Sequence, residues 1–531
     1  MKVQKVPSRS PILLANRWSR MFRFVLFLAL TCGGAAVKAQ EQPTFHYVVS
    51  FPKPAMHQYH VELRTNGWNR DTLQLKMPAW MPGYYQLMNY ANNVLGITAQ
   101  DEKGQNIPIA KTDDNSWVLS GIRQKAIILN YDVKTDRQFV ANSYVDSTHA
   151  YLIPGNTFLY VDGFLHLPVS VEVEPYPGWP NIVTGLDNVD REPDKYFARD
   201  FDILYDCPFL IGNLESLRSF KVRGVEHRFI GYAMGDFDRQ DFMDKLAKVV
   251  AVGVDIIGDI PYRQYTFIGI GPGRGGIEHL NNTTVSFDGS NLRTAAGMNQ
   301  TLNFLAHEYF HHYNVKRIRP MELGPFNYDA GSPTNLLWVS EGLTVYYEYL
   351  IVKRAGLVDE AGLFADFAQN IRAVENNPGR HFQSLVQASY STWKDGPFGT
   401  QGDAVGKTIS YYDKGPVVGM LLDFAIRNAT RNEKSLDDVM RFLYRYYYQQ
   451  QQRGFTDAEF RQACETIAGA PLTELFEYVH TTKELDYDTY LGYAGLKLDI
   501  RERQGKKEVE ISRLPQPDSL QTAILKSWLG D

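Results

Sequence analysis

The stretch His307-Glu308-Tyr309-Phe310-His311 places two imidazoles four residues apart, with a carboxylate beside the first. On an α-helix, positions four apart share a face, so both rings can aim a nitrogen at one point. Zinc in a catalytic site takes three protein ligands and keeps one position open. The motif therefore demands a third ligand elsewhere in the chain. Trp338-Val339-Ser340-Glu341-Gly342 offers a carboxylate 30 residues past His311, in a second stretch of helical periodicity. His307, His311 and Glu341 are thus the expected ligands of one zinc ion per chain. Glu308 lies next to the first ligand and is the expected general base toward an attacking water.

The 531 residues suffice for about three domains. A net charge of -5 argues against nucleic acid as the main partner. Residues 1–39 read as a signal peptide: Arg23 precedes the apolar run Phe24 to Cys32, and Val37-Lys38-Ala39 forms the cleavage site. The run is too short to span a bilayer, so the expectation is an exported protein, periplasmic or secreted, with no transmembrane segment in the mature chain. The polar leader ahead of it makes Met21 an alternative start, and the residues before Cys32 make a poor lipidation box. Cys207 and Cys464 are expected as two buried thiols.

Between residues 40 and 212, segments such as FHYVVSF, YHVELRT and VSVEVEP alternate apolar with polar residues, and turn signals such as Asn66-Gly67 and Pro154-Gly155 fall between them. This predicts an N-terminal β-sandwich-like domain. Helical spacing takes over at Arg239 to Gly258. Glycine-interrupted strands follow, then one long helix over residues 292–315, another over 336–356, and several more. The order makes the chain multidomain α+β.

The segments HEYFHHYNVKRIRP, WVSEGLTVYYEYL, NNPGRHFQSLVQAS and SYYDKGPVVGMLLDFAIR resemble the M61 family of glycyl aminopeptidases, within the gluzincins. MPAWMPGYYQLMNYANNV and DCPFLIG resemble that family's N-terminal β domain, so the likeness runs from about Phe45 to Leu498. It implies a β domain over residues 40–212, a thermolysin-like catalytic domain over 213–415 and a helical region over 416–498. Family members often end in a PDZ domain, and the tail 499–531 is too short for a complete one.

The resemblance also implies an activity, the removal of small N-terminal residues, glycine or alanine, from peptides with a free N-terminus. Gly273 to Leu280 resembles the substrate-binding strand of gluzincin aminopeptidases, with Glu278 as the anchor for the α-ammonium. Gly275 and Gly276 would let the substrate backbone approach that strand. Tyr412, directly before Asp413-Lys414-Gly415, matches the tyrosine that donates to the developing oxyanion. Tyr411, His279 and His312 read as packing residues. Lys316, Arg317 and Arg319 read as salt bridges locking a helix end, and Trp80 to Tyr85 as a packed turn, with a wall of the cleft as its other reading. Two alternative functions share these residues: a broader aminopeptidase or endopeptidase on the same zinc core, and a non-catalytic periplasmic binding protein on a peptidase fold.

Overall fold

The structure is a computed structural model that describes residues 42–135 and 137–531, so the expected signal peptide, Met21 and Cys32 lie outside the described residues. The N-terminal part is β-rich, as its alternation predicts. Its largest sheet orders the strands Asp187–Val189, Glu192–Ala198, Val169–Glu174, Thr44–Lys53, Gln58–Asn66, Ile127–Lys134 and Val94–Asp101. Along Thr44–Lys53 every second residue, Phe45, Tyr47, Val49 and Phe51, is buried, and Gln58–Asn66 buries Tyr59, Val61 and Leu63 in the same way. Two four-stranded sheets complete this part and share its core.

A second large sheet begins with the part expected to be catalytic. Val225–Gly231, Gln264–Gly269 and Asn282–Val285 run parallel, and Gly276–Glu278 adds an antiparallel strand at the edge. Among the described residues nothing pairs with the outer side of that strand, so it offers free backbone groups to an extended peptide. Its residues alternate across the sheet. Ile277 packs into the N-terminal core, whereas Gly276 and Glu278 face the helix Ala295–Phe310.

Both long helices expected here are shorter or less regular than their periodicity suggests. The first breaks into a 3₁₀ turn, Gly289–Arg293, and the helix Ala295–Phe310, because Thr294 leaves helical geometry and its side chain caps the Gly297 amide. The helix ends at Phe310, so His311 stands at its last turn. The second opens as a π-turn, Trp338–Gly342, before the α-helix Leu343–Arg354. Gly342 meets Gly415 of the helix Tyr411–Ala429 closely enough that a Cβ on Gly342 would lie 2.7 Å from the Gly415 Cα. That contact sets Tyr412 beside Glu341.

One core joins this part to the helical region, and the boundary expected at 415/416 falls inside the helix Tyr411–Ala429. The boundary expected at 498/499 likewise falls inside a strand. The tail is structured: Leu496–Arg503 and Lys506–Arg513 form a hairpin, and Ser519–Leu529 is a helix. That helix inserts Trp528 between Phe367 and Phe424, and its indole N–H donates to the Tyr346 hydroxyl at 3.0 Å. Tyr346 in turn donates to Asp423 at 2.6 Å, which also accepts from Arg427 at 2.9 Å. Cys207 and Cys464 are free and buried. No helix among the described residues is long and apolar enough to cross a membrane.

The tail therefore braces the helix that carries the third candidate ligand. Trp528→Ala is expected to lower stability by about 3–5 kcal/mol, from lost burial plus the cavity left behind. Guanidinium unfolding of parent and variant measures it, and a shift under about 1 kcal/mol would show that the tail packs loosely.

Candidate active site

His307 and His311 lie on the last turns of the helix Ala295–Phe310 and point at the π-turn that carries Glu341. Each imidazole has its Nδ1 engaged. His307 Nδ1 donates to Glu348 Oε2 at 2.7 Å, and His311 Nδ1 donates to the Asn314 carbonyl at 2.7 Å. These bonds fix the tautomers and leave both Nε2 lone pairs free, as metal ligands require. The two Nε2 atoms stand 2.9 Å apart, and Glu341 Oε2 lies 3.2 Å from that of His311 and 3.6 Å from that of His307.

Donors about 2.0–2.1 Å from a tetrahedral ion lie roughly 3.4 Å from one another, so this spacing fits a metal ion. Two unprotonated nitrogens and a carboxylate oxygen cannot satisfy one another, and all three residues are buried. The donor set thus fits a cation on its own chemistry. Burial opposes ionisation of Glu341, but without a metal the His311 and His307 rings, when protonated, outweigh it and hold the carboxyl below the ordinary range.

Asn314 ties the two ligand segments together. Its carbonyl orients His311, while its side-chain NH₂ lies 2.8 Å from Val339 O, 3.2 Å from Ser340 O and 3.0 Å from Thr344 Oγ1. The wide π-turn frees carbonyls that an α-helix would pair internally, and Asn314 takes them up. Sequence reasoning singles out neither Glu348 nor Asn314. Glu348 carries a signal, since it sits two turns beyond Glu341 on the same helix face. Asn314 carries none.

Glu308 is buried against the edge strand. A Cβ at Gly276 would lie 2.5 Å from its carboxyl group, and Thr283 Oγ1 stands 3.5 Å from Glu308 Oε2. Burial pushes its carboxyl up to about 7, against the opposing pull of His307 and His311. An acid–base group in that range can accept and return a proton near neutral pH. Tyr412 donates to Glu341 Oε2 at 2.9 Å, whereas Tyr411 is fully buried with its hydroxyl 2.9 Å from Thr392 Oγ1. Of the two adjacent tyrosines, Tyr412 is thus the one whose hydroxyl reaches the candidate ligands.

Glu278 is 3% exposed and its Oε1 has no hydrogen-bond partner among the described residues. Gly275, at φ +88°, bends the strand just ahead of Gly276. His279 points the other way, to Asp206 at 3.3 Å. Of the three basic residues past the helix, Lys316 makes a salt bridge, to Asp206 at 2.5 Å. Arg317 instead donates to the carbonyls of His312, Leu280 and Pro261, and Arg319 has no carboxylate within 4.0 Å among the described residues. Tyr85, in sequence the end of a packed turn or of a cleft wall, is buried, and burial and then the Glu341 and Glu278 charges push its phenol up.

Residues 46–213 match the Peptidase M61 N-terminal domain, and residues 300–418 match the M61 glycyl aminopeptidase model. The chain belongs to the M61 peptidase family. It is a metallopeptidase, and both matched regions contribute residues to the site above. No curated protein matches the sequence. Among solved structures it is similar to an aminopeptidase N family protein from Idiomarina loihiensis, with 24% identity and a TM-score of 0.81, covering 86% of this chain and 79% of that chain. It is also similar to the M1 zinc metallopeptidase of Deinococcus radiodurans, with 13% identity and a TM-score of 0.51, covering 83% of this chain and 94% of that one. A point mutant of that enzyme bound to a Tyr-Ser-Ala substrate aligns with a TM-score of 0.52, at 14% identity over the same shares. These likenesses are in fold.

Because Glu348 fixes the His307 tautomer, Glu348→Ala is expected to weaken metal binding by about 10–100-fold without removing a ligand. Competition with a chromogenic chelator measures the affinity. Parent-like affinity would show that His307 is oriented by its packing alone.

Proposed function

We propose that this M61 protein is a zinc aminopeptidase that removes glycine or alanine from the amino end of peptides, with one zinc ion per chain held by His307, His311 and Glu341. The observation that carries this reading is Glu278. A buried carboxylate oxygen without a partner, on the edge strand beside the base and the ligands, needs a cation, and a substrate α-ammonium supplies one. The leader sequence adds the proposal that the enzyme is exported.

Bound zinc would polarise the scissile carbonyl and acidify the attacking water. The chain's own residues do the rest. Glu278 holds the ammonium and fixes the register, so that the first peptide bond lies beside Glu308. Gly275 and Gly276 let the peptide backbone pair with the open strand edge. Glu308 takes the proton of the attacking water and passes it to the leaving amine. Tyr412 turns its hydroxyl from Glu341 to the developing oxyanion, where a placed donor is worth about 2.7–4 kcal/mol. Glu348 and the Asn314 carbonyl keep the two imidazoles in the ligating tautomer.

Glu308→Gln removes the base but no ligand. It is expected to keep full metal content and to lose turnover by about a hundredfold or more. Metal analysis beside single-turnover kinetics checks both halves, and near-normal turnover would reassign the base.

Substrate choice is the direct test of the reading. An acylated amine leaves Glu278 buried and unpaired, so acetyl-Ala-p-nitroanilide is expected to be a poor substrate. Gly- and Ala-p-nitroanilide are expected to exceed the Leu and Phe compounds in kcat/KM, because overlap excludes a large side chain more sharply than a missing methylene is penalised. Efficient cleavage of the blocked compound would make the enzyme an endopeptidase. Faster cleavage of Leu or Phe would make it a broader aminopeptidase.

A further inference from the structure

Past Glu278 the chain turns through Leu280 and Asn281, and there a cavity of about 1360 Å³ opens between the N-terminal β part and the catalytic part. Gly83, Tyr85 and Glu278 line it, whereas His307, Glu308, His311, Glu341 and Tyr412 do not, so those three residues form its wall toward the site. A space of that size would accept almost any side chain, since pockets for drug-sized ligands run to about 300–1,000 Å³. The wall therefore decides what the site can hold.

Gly83 and Tyr85 of that wall come from the N-terminal part, at a turn bridged between Met81 and Tyr84. Gly83 adopts φ +95°, and the Glu278 carboxylate fills the place of a side chain, with Oε2 2.8 Å from where a Cβ would stand. The next residues are pinned from the catalytic side. Gln86 Nε2 donates to the carbonyls of Thr392 and Tyr85, each at 2.7 Å, and Trp80 packs edge-on against Trp393 at 5.0 Å. Tyr85 is 6% exposed, also meets Trp393 edge-on at 6.2 Å, and lines the cavity together with Glu278, while burial and then the Glu341 and Glu278 charges push its phenol up. In the mechanism above Glu278 binds the ammonium of the first residue, and Glu341 would help hold the metal that faces its carbonyl. A side chain on that residue that extended toward the cavity would run into the wall that Tyr85 helps form.

We propose that Tyr85 sets the size of the first residue, standing as a fixed partition between the site and the cavity behind it. This rests on the aminopeptidase reading and adds to it the residue, donated by the N-terminal part, that makes the pocket shallow. Tyr85 acts on side-chain size, while Glu278 acts on the amine, so the two selections are separable.

The experiment uses the full chain with Tyr85→Ala and Tyr85→Phe, assayed on Gly-, Ala-, Leu- and Phe-p-nitroanilide and on acetyl-Ala-p-nitroanilide. Tyr85→Ala is expected to raise the Leu/Gly and Phe/Gly ratios of kcat/KM by about tenfold or more, the effect of one or more methylenes newly admitted. Tyr85→Phe keeps the ring and should keep the ratios, and the blocked compound should stay uncut in both variants. Calorimetry gives a readout apart from turnover: phenylalanine amide should bind Glu308→Gln/Tyr85→Ala more tightly than Glu308→Gln alone. Unchanged ratios in a Tyr85→Ala protein with parent-like thermal unfolding would overturn the proposal, as would an equal shift in Tyr85→Phe. If Tyr85→Ala does not fold, Tyr85→Leu carries the same comparison with the same two outcomes. A parent that prefers Leu or Phe removes the small-residue reading instead, and the change in ratio between parent and variant still reports on Tyr85.

Discussion

The site depends first on one asparagine that bonds both ligand segments at once. Its three candidate ligands come from two segments, and Asn314, beside the His307–Glu348 bond, fixes one to the other. The backbone carbonyl of Asn314 holds the His311 ring, and its side chain holds the π-turn that presents Glu341. Close packing sets how near two helices approach, but apolar contacts carry no direction. A buried hydrogen bond does carry direction, and leaving one of its groups unpaired costs about 1–3 kcal/mol. Asn314 makes both alignments at once, so the spacing of His311 and Glu341 cannot drift without breaking a buried bond. The Gly342–Gly415 contact then fixes the tyrosine helix against the other side of the same turn.

Charge is the second constraint. Glu278, Glu308, Glu341 and Glu348 are gathered within one site, and the first three are each less than a tenth exposed. Glu348 is paired with an imidazole that carries a single proton in its ligating form. Burial of so much negative charge is tolerable only where cations arrive. On the proposed reading a divalent ion answers Glu341 and Glu348 across His307, and the substrate ammonium answers Glu278. Glu308 carries a proton for part of each turnover. The protein thus stores an electrostatic demand that its metal and its substrate meet together, and a neutral, acylated peptide meets only half of it.

Much of this was legible in sequence, for reasons that can be named. The pair His307 and His311 is a statement about helical periodicity, and Glu341 followed from the ligand count that a catalytic zinc requires. The alternation in Thr44–Lys53 and Gln58–Asn66 marked the β part directly. What stayed hidden depends on tertiary context. Periodicity continues through Thr294 and through Trp338–Gly342, so it cannot show that one helix breaks and the other widens to a π-turn. The tail carries a strand pair and a buried tryptophan, and a segment too short for a known module gives no sign of either. Trp80 to Tyr85 was marked only as a packed turn or a cleft wall, because no local pattern shows that Tyr85 lines one cavity with Glu278 of the catalytic part.

That last pairing explains why an N-terminal β part belongs to this enzyme at all. The edge strand Gly276–Glu278 alternates, so whatever grips Ile277 on one face decides how Gly276 and Glu278 stand on the other. Ile277 is held in the N-terminal core, and Tyr328, past the ligand helix, is held there too, with its hydroxyl donating to Asp202 at 2.6 Å. A slip of one residue in that strand would turn Glu278 into the β core and Ile277 toward the base. Burial of a lone carboxylate there has no compensation, which makes the slipped register far costlier than the observed one. The N-terminal part therefore does more than cover the sheet. It holds the register of the edge strand, supplies the niche at Gly83 in which Glu278 rests and, on the proposed reading, places Tyr85 against the first residue of the substrate. On that reading substrate selection is a property of the junction between the two parts, while the candidate ligands and the candidate base come from the catalytic part alone.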